Sequence, residues 1–184
     1  MTHLPTSKLI TSTSSKKRSK LFKKTRPVVR KYVAEDLPFL WAAYGQGSFN
    51  LPAGLTQEAF TGAMAAQFGS FDLLWVIEDE TPAFKAGRGQ VAIVGIKSDG
   101  WSYEPVAVFF KWAKPKTVLR ALVSFFQMIR YQKDVGVCKV TATQKDSKML
   151  QRLKQYGVLF YRGRIPFGSA VGDEFIYSIQ GGRK

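Results

Sequence analysis

The chain has 184 residues and a mass of 20.6 kDa, with 45% apolar and 22% charged residues, the proportions of one globular domain with or without a tail. Its single cysteine, Cys138, excludes a disulfide framework and a cysteine-rich zinc module, and its single histidine, His3, at the extreme N-terminus, excludes His-based triads and HExxH metal sites from the fold. The net charge of +15, from 28 basic against 13 acidic residues, points to a polyanion or a protein assembly as partner.

The charge is unevenly placed. Residues 1–26 hold Lys8, Lys16, Lys17, Arg18, Lys20, Lys23, Lys24 and Arg26 and no acid. Thr11 to Ser15 is an unbroken run of hydroxyls, and only Leu4, Leu9, Ile10, Leu21 and Phe22 offer apolar surface. Such a segment cannot offset its ordering entropy alone, so an arm that is disordered in isolation is expected. Lys16, Lys17, Arg18, Lys20, Lys23, Lys24 and Arg26 are the residues expected to meet DNA or a neighbouring protein. A solubilising tail and a transit peptide are the alternatives. No apolar run approaches the roughly 18 residues of a membrane span, and the N-terminus lacks the apolar stretch of a secretory signal. No membrane partner and a cytoplasmic setting follow as expectations.

Residues 27–184 read as one domain of alternating strands and helices. Pro27 to Tyr32 is a first strand. Glu35 and Asp36 then stand where a helix N-terminus favours acids, ahead of Leu37 to Tyr44, with Gly45 and Gly47 ending that helix. Thr56 caps a helix over Gln57 to Phe68, stopped by Gly69. Leu73 to Ile77 is a buried strand, Gly87-Arg88-Gly89 a turn, and Gln90 to Ile96 the next strand. Asp99-Gly100 signals a hairpin into Val106 to Phe110. Pro115 opens the clearest helix, over 115–134, with Val118, Leu122, Phe125 and Ile129 at 4-3-4 spacing and Leu119 and Phe126 widening the stripe. Lys139 to Thr143 is a strand, and Ser147 caps a short helix with Met149, Leu150 and Leu153 that stops at Gly157. Val158 to Ile165 and Phe175 to Ile179 finish as strands. The class is mixed α/β with an antiparallel meander in the middle: about six to seven strands and about four helices.

This order resembles that of the GNAT (acyl-CoA N-acyltransferase) superfamily. Val140 to Thr143, then Met149 to Gly157 and Val158 to Phe160, look like the family's late strand-helix-strand unit, and Arg30 with Glu35-Asp36-Leu37 resembles its opening. The tract from Leu153-Lys154 to Gly157, and the end Ile176 to Gly182, are similar to small GNAT-like virion proteins of tailed phages.

In the family, a Gly-rich turn between the fourth strand and the long helix holds the acyl-CoA pyrophosphate. The matching stretch here, Lys111 to Thr117, has no glycine; Pro115 removes an N–H and Trp112 adds bulk. The family's acid Tyr, four residues before the helix-ending Gly, is replaced by Leu153, while Tyr156 lies three residues on and is a weak candidate or an edge-of-core aromatic. Glu104 is a candidate base at the start of the fourth strand, or a solvated carboxylate. Lys114 and Lys116, with Thr117, flank a helix N-terminus and oppose its dipole; they are solvated, or compensated by a phosphate or an acidic partner. No residue is expected to bind metal.

The resemblance and these departures imply a non-catalytic GNAT-fold structural component of a phage virion, without cofactor. It would be located in the virion, or in the host cytoplasm during assembly, and oligomeric within that assembly. An active acetyl-CoA-dependent N-acetyltransferase and a nucleic-acid-binding accessory protein are the alternatives.

Overall fold

The computed structural model describes residues 26–80, 88–130, 136–167 and 170–178. The elements are β1 (Val28–Lys31), a single 3-10 turn (Ala34–Asp36), α1 (Leu37–Gly45), α2 (Gln57–Phe68), β2 (Leu73–Glu80), β3 (Arg88–Ser98), β4 (Ser102–Phe109), α3 (Pro115–Ile129), β5 (Val137–Thr143), α4 (Gln144–Gln155), β6 (Phe160–Phe167) and β7 (Ala170–Ser178). The expected order and class hold. The arm before Arg26, Gly87, Ile179 and the Gly181-Gly182 end lie outside the described residues.

The strands form one seven-stranded sheet in the order β1-β2-β3-β4-β5-β7-β6. Every neighbouring pair is antiparallel except β4 and β5, which are parallel and joined through the α3 crossover. Asp99 builds the β3–β4 hairpin: its carboxylate accepts from the Ser102 N–H at 2.5 Å, the Ser102 hydroxyl at 2.8 Å and the Trp101 N–H at 2.8 Å. Those donors hold its carboxyl down at about 2. Gly100 takes φ +82, a conformation that side chains resist.

Helices cover both faces. On one, α1 and α2 pack Leu40, Ala43, Phe60 and Met64 onto Val76, Ile93 and Phe110. On the other, α3 buries Leu119, Leu122, Phe125, Phe126 and Ile129, and α4 buries Leu150 and Leu153, over Ile77, Val94, Ile96, Cys138 and Phe175. The α3 stripe is the one its spacing predicts, with Val118 only partly buried. The helix closes at Ile129, short of the expected 134.

Three expectations are corrected. Arg88 and Gly89 open β3 and are not a turn, because they pair with Glu80 and Asp79. β4 begins at Ser102, four residues early, since the tight Asp99-Gly100 turn starts pairing at once. Ser147 is not a cap: α4 begins at Gln144 behind Thr143, and Ser147 is buried inside it. The stop at Gly157 (φ +65) holds. There the Gly157 N–H donates to the Lys154 carbonyl and the Val158 N–H to that of Leu153, which closes the helix end.

Asp36 does more than favour a helix start. It is 2% exposed, and the Arg30 guanidinium grips both its oxygens at 2.7 and 2.8 Å while donating its Nε–H to Glu78 at 2.8 Å. The Gln90 side-chain amide and the Val33 N–H donate to Asp36 as well. Burial pushes its carboxyl up, but Arg30, the Val33 amide and Gln90 outweigh that and hold it below the usual aspartate range. The stabilisation is therefore present above the unfolded carboxylate pKa and lost as pH falls through the lower folded one. Asp36→Asn should cost about 1–3 kcal/mol at neutral pH. In urea titrations the gap to the parent should close below about pH 4; a gap independent of pH would show that charge is not what holds this corner.

Candidate functional site: a cleft between two parallel strands

The parallel neighbours β4 and β5 pair at two rungs only, Ser102 with Val137 and Tyr103 with Cys138, and then part. The cause is local. In the antiparallel β3–β4 ladder, the Asp99 N–H donates to the Ser102 carbonyl and the Phe110 N–H to that of Val91, so the even-numbered residues of β4 turn their backbone toward β3. The odd ones turn theirs toward β5. After Tyr103 the next such residue is Pro105, which has no N–H to continue the ladder. Beyond it, the N–H and C=O groups of Ala107 and Phe109 turn to the side where pairing with β5 has stopped. An open strand edge of this kind is a ready template for an extended, amide-bearing chain.

At the open end of the gap lies the turn into α3. The Ala113 N–H bonds the Phe110 carbonyl at 2.8 Å and the Lys111 N–H bonds the Ser48 hydroxyl at 3.0 Å, which seats the α1–α2 loop on the turn. Trp112 does not obstruct the route. Its ring packs edge-on against Phe110 at 5.1 Å, and its indole N–H donates to the Gln90 carbonyl at 2.7 Å. Pro115 occupies the first helical position, where an N–H has no intrahelical partner in any case. Val118 is the first residue to bond back, to the Lys114 carbonyl, so the Lys116 and Thr117 amides face outward with the positive end of the dipole. Lys114 and Lys116 are exposed at this helix start and Thr117 is half-buried, while Lys111, also exposed, lays its Nζ close to Gly47 of the α1–α2 loop. Lys114, Lys116, the free amides and the dipole put positive potential at this helix start without a glycine.

Glu104 stands beside the last rung. It is exposed, and it shares the α1–α2 face of the sheet with Val108 and Phe110. Lys139, next to the Tyr103–Cys138 rung on β5, is half-buried. Leu153 is fully buried and belongs to the core. Tyr156 follows the last turn of α4 and packs on the main core as a half-buried aromatic, not brought to Glu104 by any observed contact. Cys138 is buried and its thiol is pushed up by burial, away from nucleophilic use. Arg26 is exposed ahead of β1; the other arm cations lie outside the described residues. Among the described residues no cluster of His, Cys, Asp or Glu could hold a metal, and no helix is long and apolar enough to cross a membrane.

No known protein-family model matches the chain, and no curated protein sequence is similar to it. Solved structures are. The spermidine N-acetyltransferase of Vibrio cholerae in complex with CoA and spermine aligns over 84% of this chain and 96% of its own, with TM-score 0.61 and 11% identity. A GNAT-family acetyltransferase of Streptococcus pneumoniae aligns over 83% and 99%, with TM-score 0.55 and 14% identity. The Salmonella typhimurium protein yncA, with its cofactor acetyl-CoA, aligns over 87% and 98%, with TM-score 0.54 and 10% identity. The chain has the fold of the GNAT acetyltransferases. The expectation of a non-catalytic virion component is corrected: these structural neighbours are acetyltransferases, and none of them supports a tie to virion proteins. That expectation took Trp112 and Pro115 to block the cofactor turn. Trp112 is folded inward, and Pro115 sits where it costs no bond.

Proposed function

We propose that the protein is an acyl-CoA-dependent N-acetyltransferase. The observation that carries this reading is the cleft opened by Pro105, with the β4 edge free from Ala107 onward and positive potential at its mouth. Acetyl-CoA suits both parts: its pantetheine arm is extended and carries two amides, and its pyrophosphate is anionic. The Ala107 and Phe109 backbone groups would hold the arm in the manner of an added strand. The Lys116 and Thr117 amides, with Lys114 and Lys116, would hold the phosphates, which offset the dipole penalty those two lysines otherwise carry. The bound group supplies a thioester carbonyl that an amine can attack. Glu104, at the apex of the cleft and open to water, accepts the proton that the attacking amine sheds.

Isothermal titration should show acetyl-CoA binding with a micromolar dissociation constant. Ala107→Pro removes only an N–H that faces the gap, leaving the β3 ladder whole, and should weaken binding about tenfold. Absence of binding to the parent protein would sink the reading.

A further inference from the structure

The half of the sheet beyond the cleft has a face that no described helix covers. Tyr103, Cys138, Phe175 and Tyr177 send their side chains to the α3–α4 face, so their neighbours along β4, β5 and β7 point to the other. On that other face α1 and α2 pack against β2, β3 and the far end of β4, and no described residue of β5, β6 or β7 joins their cluster. The register draws one transverse row across it. Lys97 is opposite Glu104, Glu104 comes level with Lys139 just past the Tyr103–Cys138 rung, Lys139 is opposite Ile176, and Ile176 is opposite Phe160. From Glu104, a cation therefore follows at one strand spacing, about 5 Å, and apolar side chains at two and three, about 10 and 14 Å. Ile176 is half-buried and Phe160 is 67% exposed, while Val106, two residues on from Glu104 and on the same face, is 49% exposed.

The charges on this floor are placed as well. Among the described residues no ion pair joins Glu104 to either lysine. Glu174, opposite Thr141 in the next row, is paired with Arg162 at 3.1 Å. Asp72 and Asp99, at the closed end, accept backbone N–H groups from Ser98 and from Ser102 and Trp101. The Asp99 carboxyl, held down first by the Ser102 and Trp101 groups, is held down by Lys139 too, which puts that ammonium toward the closed end and away from the start of α3.

We propose that the acceptor is a small amine that also carries a carboxylate and an apolar group, the chemistry of an apolar α-amino acid, with its carboxylate on Lys139 and its apolar group toward Ile176 and Phe160; this rests on the acetyltransferase reading above. The order of the row orders the three groups: amine at Glu104, carboxylate one strand over, apolar group beyond. A polyamine suits the row poorly, because with one ammonium at Glu104 the next meets Lys97 or Lys139. In the reaction, the acceptor's ammonium first releases a proton to solvent. The neutral nitrogen then attacks the thioester carbonyl carbon of acetyl-CoA. The C–N bond forms, the C–S bond breaks, the nitrogen's second proton passes to Glu104, and CoA leaves as its thiolate. The product keeps its carboxylate and has lost its cation.

The test follows CoA release by the full chain with acetyl-CoA and leucine, phenylalanine, glycine, leucinamide or spermidine as acceptor. The kcat/KM for leucine and phenylalanine should exceed that for leucinamide, which lacks the carboxylate, and that for glycine, which lacks the apolar group, by at least about tenfold. Lys139→Gln should raise KM for leucine about tenfold and erase its advantage over leucinamide, whereas Lys139→Arg should keep most of that advantage. Phe160→Ala, at an exposed position outside the core, should cost phenylalanine more than glycine. Without cofactor, phenylalanine titrated into isotope-labelled protein should shift the amide resonances of Lys139, Ile176 and Phe160. Leucinamide or spermidine matching leucine would overturn the proposal. So would an equal loss for leucine and leucinamide in Lys139→Gln, or resonance shifts confined to other parts of the chain. If CoA is released with spermidine or leucinamide and with no amino acid, the proposal falls and the acetyltransferase reading stands. If acetyl-CoA neither binds nor reacts, both fall.

Discussion

Glu104→Gln should lower kcat for amine acetylation by about 10²–10⁴-fold and leave the dissociation constant of acetyl-CoA within about twofold of the parent value. The split follows from placement. Glu104 is on β4, but its backbone faces β3, so it takes no part in the open edge that would hold the cofactor. Its side chain is exposed and beside the last β4–β5 rung, where the proposed site would receive the attacking amine. The substitution removes a proton acceptor at nearly constant volume, and since the side chain is exposed the fold is not at stake. Stopped-time assays of CoA release, paired with titration of acetyl-CoA, measure both quantities. A kcat within about threefold of the parent would remove Glu104 from the chemistry and leave water or another group as the base.

Phe125→Ala should destabilise the fold by about 3–5 kcal/mol. Phe125 is 2% exposed, packs edge-on against Phe126 at 5.6 Å, and lies in the cluster that joins α3 to the sheet. That is a large share of the roughly 5–15 kcal/mol available to a domain of this size. The same helix puts positive potential at its first turn, so the variant should also lose acetyl-CoA affinity as the folded population falls. Denaturant titration reads the first effect. A change below about 0.5 kcal/mol would mean that the stripe does not carry the packing assigned to it.

Local signals carried most of the architecture. The Thr56 cap, whose hydroxyl accepts from the Ala59 N–H at 3.2 Å, the α3 stripe and the Gly157 stop depend on residues within one or two turns, and each is in place. Ser147 shows the limit of such signals, because a polar residue can start a helix or be buried in one, and packing chooses. The cleft was harder to read, since strand pairing is settled by partners far apart in the chain. Pro105 was nonetheless a signal: a proline between Glu104 and Val106 marks a strand side that pairs with nothing. Reading the strand from Val106 onward passed over it. Trp112 was misjudged for a related reason. Its bulk was visible in the sequence, but its direction is set by the Gln90 carbonyl, 22 residues away. The Arg30–Asp36 grip likewise depends on Gln90 and Glu78 from other strands.

The two-rung joint between β4 and β5 has a mechanical consequence. Backbone bonding makes the sheet two antiparallel leaflets, β1 to β4 and β5 with β7 and β6, stitched by a seam one dipeptide long. What bolts the leaflets together is the helical layer beneath: α3 lies against β1, β2 and β3, and its Phe126 reaches Tyr177 on β7 at 5.2 Å. Each leaflet keeps its own ladder when the other tilts, so the angle between them can change without breaking a strand pair. A wedge driven into the cleft, as an extended cofactor would be, meets resistance from side-chain packing alone. The amides of Tyr103 and Cys138 then mark the pivot, and in hydrogen exchange their protection should follow the docking of α3 more closely than the stability of either ladder.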